Sequence, residues 1–98
     1  MDRKKLLYSE CLEIYNIEES FMDSLEDSGL VHVSVDEDNS RFIEIEELVG
    51  LEQFMRWHYD LNINIEGIEA LHHMLDRVKA LQDEIEQLQN EIRFYKSL

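Results

Sequence analysis

The chain contains no proline, only three glycines among 98 residues, and a single cysteine, Cys11. The lack of proline and the scarcity of glycine suit long helices with few hinges. One cysteine excludes an intrachain disulfide framework and a multi-cysteine zinc site. No run reaches the roughly 18 apolar residues of a membrane span. The charged start, Met1 to Lys5, leads into no apolar stretch of signal-peptide length. A soluble, cytoplasmic protein with no membrane partner is therefore expected. Positive charge is also scarce: 9 Lys and Arg stand against 23 Asp and Glu, a formal net charge of −14. Affinity for phosphate backbones needs a basic face that releases counterions, so a generic nucleic-acid binder is excluded. Anionic membrane surfaces are disfavoured for the same reason, whereas a basic protein partner fits. Apolar residues make up 44% of the chain, enough to fold. A domain this short buries only about two-thirds of its unfolded surface, so partner contacts are expected to add to its stability.

The acidity is uneven. Leu6 to Glu52 holds fourteen carboxylates and one basic residue, Arg41, whereas Gln53 to Leu98 holds eight carboxylates and five basic residues. The first half reads as short elements. Leu6, Leu7 and Tyr8 suggest a strand, and Ser9 can cap a helix carrying Cys11, Leu12, Ile14 and Tyr15. Asn16, tolerant of a left-handed conformation, ends it. A second helix begins near Glu18, with Phe21, Met22 and Leu25 on one face, and ends at Gly29. Two helices joined by about three residues form a helix-turn-helix. Leu30 to Val35 alternates like a strand. A polar turn, Asp36 to Ser40, and a return strand, Arg41 to Ile43, complete a small wing.

The second half is helical. Leu48, Leu51, Met55 and Tyr59 recur at three- and four-residue steps, with Phe54 and Trp57 widening the face. Asn62 to Asn64 breaks that helix. Asn64 is the N-cap of the last one, with Ile63 and Ile68 placed to staple its start. A heptad then runs without a slip: Leu71, Val78, Ile85 and Ile92 at a, and Met74, Leu81, Leu88 and Tyr95 at d. Four such heptads predict a coiled coil and a homodimer. β-branched residues at a, leucines at d and a Glu91–Lys96 g–e pairing lean towards parallel strands.

Catalytic chemistry finds little support, and no enzyme, cofactor or metal is expected. His72, His73 and Asp76 share helical spacing but lack the local motif of a zinc enzyme, and they read as solvated groups beside the heptad seam. His58 and Asp60 read as surface or partly packed groups. Cys11 sits between Glu10 and Leu12, with Glu13 beyond, whereas a reactive thiolate needs a basic neighbourhood. It reads as a small hydrophobe. There is no glycine-rich phosphate loop.

In DNA-binding helix-turn-helix proteins the second helix enters the major groove. Here it carries Glu18, Glu19, Asp23, Glu26 and Asp27 and no lysine or arginine, and the wing turn carries Asp36, Glu37 and Asp38. This pattern reads either as a DNA-binding scaffold turned to protein recognition or as a solvated acidic surface.

The order of strand, helix-turn-helix, wing, helix and long terminal helix resembles the MerR-type winged architecture. The segment Phe54 to Leu88, with "HYDL", "NINIEGI" and "LHHMLDRVKAL", resembles the chaperone modulator CbpM family. Asp60, Leu61, Asn64, Gly67 and Ile68 match its pattern, and the likeness extends from about Leu6 to Ile92. The acidic second helix separates CbpM-like proteins from MerR regulators. The resemblance implies a mainly α fold: a MerR-like winged helix-turn-helix with a small β wing, residues 1–64, and a long C-terminal coiled-coil helix, residues 65–98. It also implies binding to the J-domain of a DnaJ/CbpA-type co-chaperone, with inhibition of its co-chaperone and DNA-binding activity. A J-domain presents a basic helix, which an acidic modulator can cover by charge complementarity. Glu44, Glu46, Glu47 and Glu52, with Asp60 further along the same helix, are the expected partner contacts. Taken singly, each reads equally well as a solvated side chain. The alternative is a MerR-like transcriptional regulator that binds DNA as a dimer. MerR-type dimers use an antiparallel coil, so the orientation of the strands stays open.

Overall fold

The computed structural model describes residues 4–98. The chain divides into two compact units, one ending at Ile68 and the other Glu69–Leu98.

The first unit opens with strand β1, Lys5–Leu7, and passes directly into helix α1, Tyr8–Tyr15. Tyr8 is thus helical and buried, and Ser9 lies inside the helix instead of capping it. The helix start is held instead by Glu10, whose Oε1 accepts from the Leu7 backbone N–H at 3.0 Å. This is the reciprocal half of a capping box and needs no side-chain cap before it. Asn16 ends α1 in the left-handed region, φ 54°, and the turn carries Ile17 back into the core.

Helix α2, Glu19–Asp27, buries Phe21, Met22 and Leu25 as its spacing predicts. Gly29, at φ 79°, ends it in a Schellman motif: Gly29 N–H donates to Glu26 O and Leu30 N–H to Leu25 O, both at 3.0 Å. That motif corrects the strand expected over Leu30 to Val35. The Leu30 and Val31 amides are committed to the helix end, Val31 is buried, and only Ser34–Val35 forms strand β2.

The polar turn is as expected. Asp36 Oδ1 accepts from Asp38 N–H and Ser40 N–H, both at 2.9 Å. Asn39 supplies the positive φ that a tight hairpin requires. Strand β3, Arg41–Glu44, pairs antiparallel with β2 and also with β1, giving the sheet order β1-β3-β2. Lys5 opposes Glu44 and Leu6 opposes Ile43 in that register. The wing therefore has three strands, the third supplied by the chain start.

A 3-10 turn, Ile45–Glu47, leads into helix α3, Leu48–Met55, which buries Leu48, Leu51 and Phe54. The helix then widens into one π-helical turn, Arg56–Asp60, with Leu61 N–H donating to Arg56 O at 3.2 Å. Tyr59, expected on the buried face, is exposed there. Asn64 caps helix α4, Ile65–Lys96: its Oδ1 accepts from Gly67 N–H at 2.8 Å. Ile68, fully buried in the first unit's core, and half-buried Ile63 flank that cap. The core gathers Cys11, Phe21, Met22, Leu25, Ile43, Leu51, Phe54 and Ile68 from every helix of this unit and its central strand. Cys11 apart, each such side chain contributes about 1.5–3 kcal/mol on burial.

The second unit is the remainder of α4. All eight a and d residues of the heptad lie on its exposed surface, from Leu71 at 37% to Tyr95 at 70%. No helix among the described residues is long and apolar enough to cross a membrane.

Candidate protein-interaction surface

Helix α2 occupies the recognition position of the helix-turn-helix, and its carboxylates fall into two groups. Asp23 and Glu26 are engaged within the fold. Tyr8 Oη donates to Asp23 Oδ1 at 2.6 Å, and Arg41 Nη2 donates to Glu26 Oε1 at 2.6 Å. The Arg41 guanidinium also lies over the Tyr8 ring, 4.0 Å from its centroid. Arg41, the lone cation of the acidic half, is thereby spent on tying β3 to α1 and α2. Burial, followed by the hydrogen bond to Asp23, pushes the Tyr8 hydroxyl well above the usual tyrosine range. Glu18, Glu19 and Asp27 are exposed, as are Glu37 and Asp38 of the wing turn. The face that would meet a duplex thus displays carboxylates, which repel phosphate.

The five carboxylates expected at the partner site do not form one cluster. Glu44 ends β3 opposite Lys5 and is half-buried. Glu46 and Glu47 lie in the 3-10 turn, the first exposed and the second half-buried. Glu52 and Asp60 lie further on, and both line a groove of about 280 Å³ together with Tyr15, Met55, Arg56 and Tyr59. Tyr15 Oη makes a long hydrogen bond, 3.4 Å, to Glu52 Oε2, and the Glu18 N–H donates to Tyr59 Oη at 3.1 Å. Burial and then the charge of Glu52 raise the Tyr15 hydroxyl above its ordinary value. Both tyrosines line the groove, and the hydroxyl of each is held by a hydrogen bond.

Sequence reasoning missed the groove, because it is built from α1 and the π turn, more than thirty residues apart. Tyr15 and Tyr59 gave no local sign that their hydroxyls share one side. His58 proves to be a packing residue. Its ring stacks on Phe21 with centroids 4.0 Å apart, and its Nδ1 lies 3.0 Å from Ile63 O. Cys11 is fully buried, and burial pushes its thiol upward, the reverse of an activated thiolate. His72 Nε2 lies 3.6 Å from Asp76 Oδ2 on one face of α4. Among the described residues no three His, Cys, Asp or Glu side chains gather as a metal site.

The profile of the MerR HTH family regulatory proteins matches residues 6–90 of the chain. The chain belongs to this MerR family. No curated protein and no solved structure matches it. The family is one of helix-turn-helix regulators, not of enzymes. Within this MerR-type chain the match runs from β1 to residue 90, so it takes in the helix-turn-helix, the wing and most of α4.

Proposed function

We propose that this MerR-type protein is a chaperone modulator that binds the J-domain of a DnaJ/CbpA-type co-chaperone and inhibits its co-chaperone and DNA-binding activity. The observation that carries this reading is the charge on the recognition helix. Glu18, Glu19 and Asp27 of the α2 segment are exposed, no lysine or arginine accompanies them, and the wing turn is acidic as well. Such a surface complements a basic helix and repels DNA. The likeness of Phe54 to Leu88 to CbpM-like proteins supplies the identity of the partner. The protein acts by covering a surface and carries no catalytic group or cofactor in this reading.

Self-association belongs to the same proposal. The exposed a and d residues Leu71, Met74, Val78, Leu81, Ile85, Leu88, Ile92 and Tyr95 pair with a second copy as a coiled coil. Titration calorimetry with the isolated J-domain of the co-chaperone from the same source tests the function. Binding at micromolar affinity or better, with a steep loss as salt rises, is expected. Absence of binding at low salt overturns it.

Family membership is equally compatible with a second reading, a MerR-like transcriptional regulator that binds DNA as a dimer. A mobility-shift assay separates the two. The acidic α2 predicts no sequence-specific complex near physiological salt, and a micromolar one would establish the regulator.

A further inference from the structure

We infer that the groove between α1 and the end of α3 seats a helix of a protein partner, one that presents two cationic side chains about two turns apart with an acidic side chain between them. This rests on the proposed function and says where on the chain the basic partner sits.

The groove combines apolar surface with an ordered charge pattern. Met55 and the rings of Tyr15 and Tyr59 line it beside Glu52, Arg56 and Asp60. Along the chain the charges alternate minus, plus, minus at four-residue steps. Successive members are therefore about one helical turn apart. In an unbroken α-helix, Asp60 would stand about 80° round the axis from Glu52. The π turn at Arg56–Asp60 uses more residues per turn and brings Asp60 back towards the side of Glu52. Single π turns within helices recur at functional sites. This one converts a spiral of charges into a row.

The complement of that row is plus, minus, plus over two turns, which the i, i+4 and i+7 positions of an α-helix supply, since i+7 returns to within about 20° of i. A helix also has side chains between those positions whose apolar stems can lie on Met55 and the tyrosine rings. The volume, about 280 Å³, falls below the roughly 300–1,000 Å³ of typical small-molecule pockets, but suits one or two inserted side chains. The Tyr15 and Tyr59 hydroxyls, held by Glu52 and by the Glu18 amide, set the groove walls before the partner arrives. Such preorganisation lowers the entropic loss on binding. A cationic side chain placed opposite Arg56 would be repelled, so the middle acidic residue adds selectivity.

The test uses the full chain and two alanine-based helical peptides, one with Lys, Glu and Lys at i, i+4 and i+7, and one with the charges exchanged. Amide chemical shifts and calorimetry report binding, and circular dichroism confirms each variant's fold. The Lys-Glu-Lys peptide is expected to shift the Tyr15, Met55 and Tyr59 amides and to bind more tightly than its exchanged partner. The triple variant Glu52→Lys, Arg56→Glu, Asp60→Lys should reverse that preference. It should also lose at least about tenfold in affinity for the J-domain. Full J-domain affinity in the folded triple variant overturns the inference and leaves the chaperone reading standing. A peptide preference that reverses, with no J-domain binding by the native chain, upholds the groove and removes the chaperone reading. Loss of self-association in the variant assigns the groove to a second copy and overturns the inference.

Discussion

At the scale of single residues, Gly67 shows how a packing demand overrides helix propensity. It occupies the third position of α4, where its N–H meets the Asn64 cap. A Cβ there would lie 2.6 Å from Ile63 Cγ2 and 3.1 Å from Asn64 Oδ1. Alanine would gain about 1 kcal/mol of propensity. It would also force apart a β-branched side chain with one preferred rotamer and the cap itself. We expect Gly67→Ala to be net destabilising by about 1–2 kcal/mol, read as a lower urea midpoint. Tyr8 gives a second residue-scale prediction. Its raised pKa means that the folded state keeps the hydroxyl proton after the unfolded state has lost it. The associated stability is complete below the ordinary tyrosine value of about 10 and is lost as pH rises beyond it. Tyr8→Phe removes the hydrogen bond to Asp23 and should cost about 1 kcal/mol at neutral pH. It should also flatten the alkaline fall of the melting temperature between pH 9 and pH 11. An equally steep fall in the variant would show that Tyr8 is not its source.

At the scale of elements, helix ends are set by local capping chemistry and strands by distant partners. Asn16, Gly29 and Asn64 each stop or start a helix where the sequence indicates, because a cap needs only the nearest backbone amides and a permissive φ. Asn64→Ala should therefore cost about 1 kcal/mol in a denaturant titration, and Asn64→Asp much less, since aspartate accepts the same N–H. The wing behaves differently. Its alternating valines look like a full strand, but the Schellman motif claims Leu30 and Val31, and β3 finds a second partner in β1. The π turn is likewise invisible in the apolar spacing of Leu51, Met55 and Tyr59, which fits an ordinary helix. Tyr59 is exposed within it, and Asp60, at its end, lines the same groove as Glu52.

At the scale of the whole molecule, two surfaces call for partners: the acidic helix-turn-helix face and the apolar seam of α4. A homodimer at micromolar concentration is expected from the seam, because eight exposed a and d side chains form a continuous apolar stripe. Ile85→Asp, near its middle, should yield a monomer by light scattering, since a charge buried in the seam costs several kcal/mol. A native chain that scatters as a monomer would remove the dimer. On the acidic side, charge reversal at half-buried Glu47 and exposed Glu52 should slow association with the J-domain and flatten its salt dependence, because charges that stay in contact with solvent act mainly on encounter. Unchanged association rates in a folded variant would move the contact to α2.

The sequence by itself determined the helix-turn-helix, the caps at Asn16, Gly29 and Asn64, the heptad of α4 and the net acidity. All of these depend on residue type and on neighbours within about four positions. Only the tertiary structure decided which carboxylates are available to a partner. Asp23 and Glu26 look the same in sequence as Glu19 and Asp27, but Tyr8 and Arg41, fifteen residues away in each case, hold them inside the fold. Glu52 and Asp60 share a groove with Tyr15, whereas Glu44, Glu46 and Glu47 do not line it. The physical reason is one of range. Capping and periodicity are written in adjacent backbone, but a charge is consumed or freed by whatever the rest of the chain folds against it.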